Sequence, residues 1–159
     1  MDNDINSNDN TPITEKSIAR VINIALAKMN RSYNLKESEW TILWSELDEK
    51  KKKTMLLQFK NSDEEGLLVT WVNDSNWTLL TSHYIYGKRH GKSIKAQIRK
   101  ILDYDFDHVK GNKGEIRIFT VKLKWVKKEF LYETNGSGFM LWFGLDVLHT
   151  HWIRNAIKK

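Results

Sequence analysis

GFMLWFGLDVLHTHWIRNAI, residues Gly138 to Ile157, is the stretch on which the fold turns. Phe139, Trp142 and Phe143 stand at i, i+3 and i+4, and Leu145, Leu148 and Trp152 continue the stripe toward Ile153 and Ile157. That spacing predicts one amphipathic helix with a wide aromatic face. Lys158 and Lys159 follow, where cations oppose the helix dipole favourably. Everything from Glu64 to Glu133 reads differently, as short strands parted by Gly, Asn, Asp and Lys turns. Strands first and a single closing helix last predict an antiparallel sheet scaffold with the helix as its plug. Scaffolds of that kind bind more often than they catalyse.

Working back from the helix, Phe130 to Tyr132 is the last predicted strand, ended by Asn135-Gly136-Ser137-Gly138. Before it, Ile116 and Ile118 alternate, and Phe119, Val121, Leu123 and Trp125 continue one position out of phase. A β-bulge near Ile118 or Phe119 accounts for the slip. Gly111-Asn112-Lys113-Gly114 turns the chain, and Leu102, Tyr104 and Phe106 alternate with Asp103, Asp105 and Asp107 as a half-wet strand. Ser93 to Ala96 is extended. Lys88-Arg89-His90-Gly91 is a basic loop after a long strand from Trp77 to Tyr86. Asn73-Asp74-Ser75-Asn76 is a hairpin turn that follows the continuous apolar strand Leu67 to Val72.

The first 60 residues read as helical rather than stranded. Residues 1–10 are a polar, acidic tail with the composition of a disordered segment. Thr11 offers a helix N-cap with Pro12 at the first helical position. Ile18, Val21, Ile22, Ala25, Leu26 and Met29 then mark one helical face, stopping between Asn30 and Asn34. Ser38 caps a second predicted helix with Trp40, Leu43, Trp44 and Leu47 on one side. Glu46, Asp48 and Glu49 precede Lys50 to Lys53, which suits i, i+4 ion pairs. Thr54 to Phe59 either extends that helix or opens the first strand. The expected organisation is a tail over 1–10, a helical segment over 11–60 and a strand-rich domain over 61–159.

The chain of 159 residues is long enough to bury a real core, with seven Trp, six Phe and five Tyr to fill it. It has no run of eighteen apolar residues that would span a membrane. The opening MDNDINSNDNT lacks the basic and apolar regions of a secretory signal. Zero Cys excludes disulfides, thiolate metal sites and a Cys nucleophile, and is simplest in a cytoplasmic protein. Abundant Lys, Asn and Ile with one Pro is the bias of a low-GC microbial, bacterial-type genome. The net charge of +6 is uneven. Residues 1–65 hold 10 Lys and Arg against 12 Asp and Glu (−2), and residues 66–159 hold 16 against 8 (+8). The basic character belongs to the strand region and permits an anionic partner.

The run Gly66-Leu67-Leu68-Val69-Thr70, then Trp77-Thr78-Leu79-Leu80-Thr81-Ser82-His83-Tyr84-Ile85-Tyr86-Gly87, then Ser93-Ile94-Lys95-Ala96-Gln97-Ile98, closed by the helix of Phe139, Trp142, Phe143 and Leu148, resembles a pleckstrin-homology-like domain. The bacterial PH and GRAM-like group is the nearest in pattern, over residues about 66–157. The resemblance implies an α+β fold: a sandwich or barrel of two orthogonal antiparallel sheets capped by the C-terminal helix, here preceded by the helical segment. It implies lipid, peptide or protein binding without catalytic apparatus. Phosphoinositide-binding members carry Lys and Arg in the loop after the first strand. The matching turn, Asn73 to Asn76, has no basic residue, and the cations come one hairpin later at Lys88, Arg89 and Lys92.

Candidate chemistry is sparse. His149 and His151 lie two apart on the last helix, roughly 200° around the axis, so they cannot share a metal. Asp103, Asp105 and Asp107 share one face of a strand. Counted from Asp103, an EF-hand needs Gly at the sixth place and Glu at the twelfth, where this chain has His108 and Gly114. They read as the charged solvent face of an edge strand. Lys122, Lys124, Lys127 and Lys128 read as the polar face of a strand whose aromatics point inward, which leaves nucleic acid disfavoured. Trp71, Trp77, Trp125, Trp142 and Trp152 read as core, with one or two of them exposed. No G-x-S-x-G, P-loop, G-x-G-x-x-G or H-E-x-x-H occurs. The expectation is therefore a non-catalytic module without cofactor or metal, binding a protein partner through Trp40 and Trp44, as an inhibitor, immunity-type or assembly protein does. The alternative is an anion site for phosphate or phospholipid headgroups in the 88–100 stretch, at Lys88, Arg89 and Lys92. A metal-dependent hydrolase on His83, His90 or the Asp103–Asp107 face is the third class.

Overall fold

The computed structural model describes residues 15–32, 38–59, 63–106 and 114–157. The expected tail, the Thr11–Pro12 cap, Asn34, Asp107, His108, the Gly111–Lys113 turn, Lys158 and Lys159 lie outside them. Within them the chain is α+β. Helix α1 (Glu15–Ser32) leads to strand β1 (Thr41–Leu43), a single 3-10 turn and helix α2 (Glu49–Leu56). Strands β2 (Gly66–Asn73), β3 (Asn76–Thr81), β4 (Tyr84–Arg89) and β5 (Lys92–Gln97) follow. After a second 3-10 turn come β6 (Asp103–Phe106), β7 (Ile116–Lys122), β8 (Lys127–Glu133) and helix α3 (Gly136–Ile157). The strands form two antiparallel meanders, β1-β2-β3-β4-β5 and β6-β7-β8. The two sheets are not closed into a barrel.

Side chains build the turns. Asn73 Oδ1 accepts the Ser75 amide at 2.9 Å and the Asn76 side-chain amide at 3.0 Å, which locks the β2–β3 hairpin. His90 and Gly91 both have positive φ, 52° and 79°, as a two-residue hairpin with the right twist requires. The expected basic loop is thus only two residues wide, and Lys88, Arg89 and Lys92 sit on paired strands. The long strand expected from Trp77 to Tyr86 is broken at Ser82-His83. Thr81 Oγ1 accepts the amides of His83 (3.1 Å) and Tyr84 (2.9 Å) there, so a threonine hydroxyl replaces the Gly or Asn that usually marks a turn.

The second N-terminal helix expected from Ser38 does not form over its first half. Thr41–Leu43 pairs instead with Thr70–Leu68 as an edge strand, and only Glu49–Leu56 is helical. The cause is Glu133, a carboxylate only 2 % exposed. It accepts the amides of Glu39 (2.9 Å) and Trp40 (3.2 Å) and the Thr41 hydroxyl (2.6 Å). Backbone donors held this way, from a residue more than ninety positions away, outweigh a weak local helix preference. Helix α2 starts where Asp48 accepts the Lys51 amide at 2.9 Å.

Two apolar clusters sit on opposite faces of the five-stranded sheet. One gathers Leu68, Leu80, Ile85, Phe119, Phe130, Tyr132 and the inner face of α3. The other holds Val69, Trp77, Leu79 and Tyr86 beneath Leu47 and Met55. With both faces covered, Leu67-Leu68-Val69 is buried without alternation, which explains the unbroken apolar run. Helix α3 also packs on α1 through Ile22, Ala25 and Met29. The plug therefore consists of Met140, Leu141, Leu145, Leu148 and Trp152. The expected leading stripe of Phe139, Trp142 and Phe143 lies at the flank, with Trp142 exposed and stacked on Phe106 at 5.9 Å. A helix packed on two sides must bury a wider arc than one amphipathic stripe, so the edge of the pattern moved.

Strand β7 contains no bulge. Its pairing with β8 runs in unbroken register from Ile116–Glu133 to Lys122–Lys127. Phe119 and Val121 point inward, and Ile116 and Ile118 are half-buried on the opposite face, where β-branched side chains suit a strand regardless of burial. Trp125 is not core. It lies in the β7–β8 turn, closed by the Leu123 amide on the Val126 carbonyl at 2.8 Å, and is 87 % exposed.

Candidate functional site

The β4–β5 hairpin and the β6-β7-β8 sheet face each other across an open groove of about 990 Å³. Gly87 lets the walls come close, because a side-chain carbon there would sit 2.9 Å from the Phe130 ring. Two bonds tie the sheets together. Arg89 Nη1 on β4 meets Glu129 Oε1 on β8 at 3.0 Å, and Lys128 Nζ donates to the Lys95 carbonyl on β5 at 2.6 Å. The lining carries Arg89, Lys92, Lys122, Lys127 and Lys128 against Asp103, Asp105 and Glu129. Among the described residues Lys92, Lys122 and Lys127 make no ion pair.

This arrangement joins two basic clusters far apart in the chain, because β4–β5 and β7–β8 end at the same side of the molecule. It also divides the expected anion trio. Arg89 and Lys92 are opposite each other in register and line the groove. Lys88, one step along the strand, points to the other face. Asp103 and Asp105 stand exposed on β6, an edge strand. Beside them Tyr104 donates its hydroxyl to Asp146 on α3 at 2.8 Å. Burial, and then the Asp146 carboxylate, push the phenol far above its ordinary range, so Tyr104 stays a proton donor.

The expected partner residues Trp40 and Trp44 flank strand β1. Trp40 is held through its backbone, its amide on Glu133 and its carbonyl taking the Trp71 amide at 2.8 Å. The Trp44 ring lies on Gly66, packs on Phe59 at 5.6 Å and lies beneath Lys52 Nζ at 5.8 Å. His149 and His83 are similarly occupied. His149 Nε2 bonds the Ile101 carbonyl at 2.7 Å. His83 Nδ1 meets Ser82 Oγ at 2.7 Å, and its Nε2 lies 3.5 Å from Asp63. A serine, a histidine and an aspartate in a row have the composition of a hydrolase triad. Here Ser82 is 1 % exposed and accepts the Glu65 amide, so its hydroxyl builds a turn. Burial lowers the His83 pKa, against the opposing charges of Asp63 and Glu64. Among the described residues no three His, Cys, Asp or Glu side chains are placed to hold a metal ion.

The fold and this groove define an α+β protein of two antiparallel sheets and three α-helices, with its charged cleft at a sheet–sheet junction. No described helix is long and apolar enough to cross a membrane. Comparison with family models, curated proteins and solved structures found no match to this chain.

Proposed function

We propose that this chain is a non-catalytic, cytoplasmic binding module whose groove receives a charged segment of a protein partner. The observation that carries the reading is the lining: five cations and three carboxylates interleaved along one open cleft. A site for a polyanion concentrates one sign, and Asp103, Asp105 and Glu129 repel phosphate. A polypeptide bearing both signs satisfies such a lining, and mixed complementarity of that kind selects a partner and its register. The strand order supports a PH-like reading of the same region. A meander of β2 to β5, a meander of β6 to β8 and a closing helix is the sequence of elements that the resemblance implies. Inhibitor, immunity-type and assembly proteins all fit this description.

Capture from the native cell, using the wild-type chain and a Lys92→Glu/Lys127→Glu double variant, tests the reading. A partner retained by the wild type and lost by the double variant is the expected result; equal retention sinks it. The unpaired Lys92, Lys122 and Lys127 favour a second reading, a soluble phosphate ligand. Titration with inorganic phosphate and inositol phosphates separates the two: saturable binding of the small anion, lost in the Lys92→Glu/Lys127→Glu variant, favours the phosphate ligand.

A further inference from the structure

The end of the molecule beside the groove brings together three exposed large apolar side chains, one of them the most exposed among the described residues. Trp125 is 87 % exposed, Leu102 61 % and Val126 50 %. They belong to one tip. The Leu102 amide bonds the Lys122 carbonyl at 2.8 Å, which sets Leu102 against the base of the β7–β8 turn that holds Trp125 and Val126. Cations surround them. Arg99 and Lys100 stand three and two positions before Leu102 and are exposed, as are Lys122 and Lys127 on either side of the turn. Lys124 Nζ lies 5.2 Å from the Trp125 ring centre. Asp103, next to Leu102 in the chain, is the one carboxylate adjoining these residues in sequence and accepts the Tyr104 amide.

We infer that this tip docks on an anionic phospholipid bilayer, with Trp125, Val126 and Leu102 entering the interface and the flanking lysines resting on the headgroups. The shape and the chemistry both point there. The tip is a protruding turn, and a fluid surface accepts a protrusion without a preformed pocket. An indole suits the headgroup level, and each nearby Lys adds to attraction for acidic lipid. Val126 and Leu102 separate this from nucleic acid: an aliphatic side chain gains from hydrocarbon and has no stacking to offer a base. The docking tip shares Lys122 and Lys127 with the groove rim and adds Trp125, Val126 and Leu102, so the Trp125→Ala variant reads the tip apart from the groove's ligand.

Flotation of the full chain with vesicles tests it. Phosphatidylcholine vesicles containing a minority of phosphatidylglycerol should carry the protein at low salt, and pure phosphatidylcholine should not. Trp125→Ala should weaken partition about tenfold. Lys100→Gln and Lys124→Gln should each weaken it about fivefold. All three side chains are exposed, so unchanged melting curves should show that the variants fold. Absence of partition at low salt overturns the inference. So does partition indifferent to Trp125→Ala, which is mere adsorption of a basic protein. Competition by free glycerophosphate, or Trp125-dependent binding of a single-stranded oligonucleotide without vesicle binding, would also reassign the tip.

Discussion

At the scale of single residues, two buried or half-buried titratable groups carry testable consequences. Glu133 gathers two amides and a hydroxyl from residues 39–41. Replacing it with Ala leaves those donors without their acceptor, at a cost of about 2–4 kcal/mol. Glu133→Ala should lower the unfolding free energy from urea melts by that amount and free the β1 amides to hydrogen exchange; Glu133→Gln should recover part of it. His83 titrates the other way from a salt-bridged histidine. Its folded pKa is depressed, so the unfolded chain binds the proton first as pH falls. The stability tied to neutral His83 is therefore complete above the ordinary histidine pKa, about 6.5, and is lost progressively below it. A His83→Gln variant should show a flatter stability profile below that pH, measured by urea melts in acid and neutral buffer. An unchanged slope would mean that other groups set it.

At the scale of elements, close approaches decide which positions tolerate a side chain. A carbon added at Gly66 would meet the Trp44 ring at 2.4 Å. A rigid indole wedged on a strand cannot give way cheaply, so Gly66→Ala should destabilise by about 1–3 kcal/mol. Trp44→Leu in the same chain should recover part of the loss, and a double-mutant cycle measures that coupling. Gly144 on α3 presents the opposite case. Its added carbon would meet the Met29 sulfur at 2.7 Å, but a thioether is flexible and Ala favours a helix over Gly. Gly144→Ala should therefore fall within about 1 kcal/mol of wild type. Such contacts also explain which elements were legible. The hairpin at Asn73–Asn76 announced itself because its side chains make their own turn. The Ser82–His83 break did not, because a threonine hydroxyl and two later amides supply it.

At the scale of the whole molecule, α1 belongs to the fold and is not a free arm. Met29 is fully buried against α3, and Met29→Ala should cost about 2–4 kcal/mol in chemical denaturation. A cost near zero would mean that α1 detaches in solution. Trp44 is likewise packed on the sheet, its ring on Gly66 and Phe59. Of the candidate site, Arg89 and Lys92 were legible as cations, and Lys122, Lys127 and Lys128 as a second cluster. Their meeting was not, because it depends on two hairpins of different sheets ending side by side.

The amino-acid order alone determined the α+β class, most strand positions, the C-terminal helix and the edge character of the Asp103–Asp105 strand, because each is a periodic or turn-chemical property of a few neighbouring residues. Only the tertiary structure decided that Thr41–Leu43 is a strand, that Phe139, Trp142 and Phe143 flank the plug, that Trp125 faces water and that two basic clusters share one cleft. Those outcomes rest on partners dozens of residues away, the Glu133 carboxylate, helix α1 and the opposing sheet, whose approach no local pattern encodes.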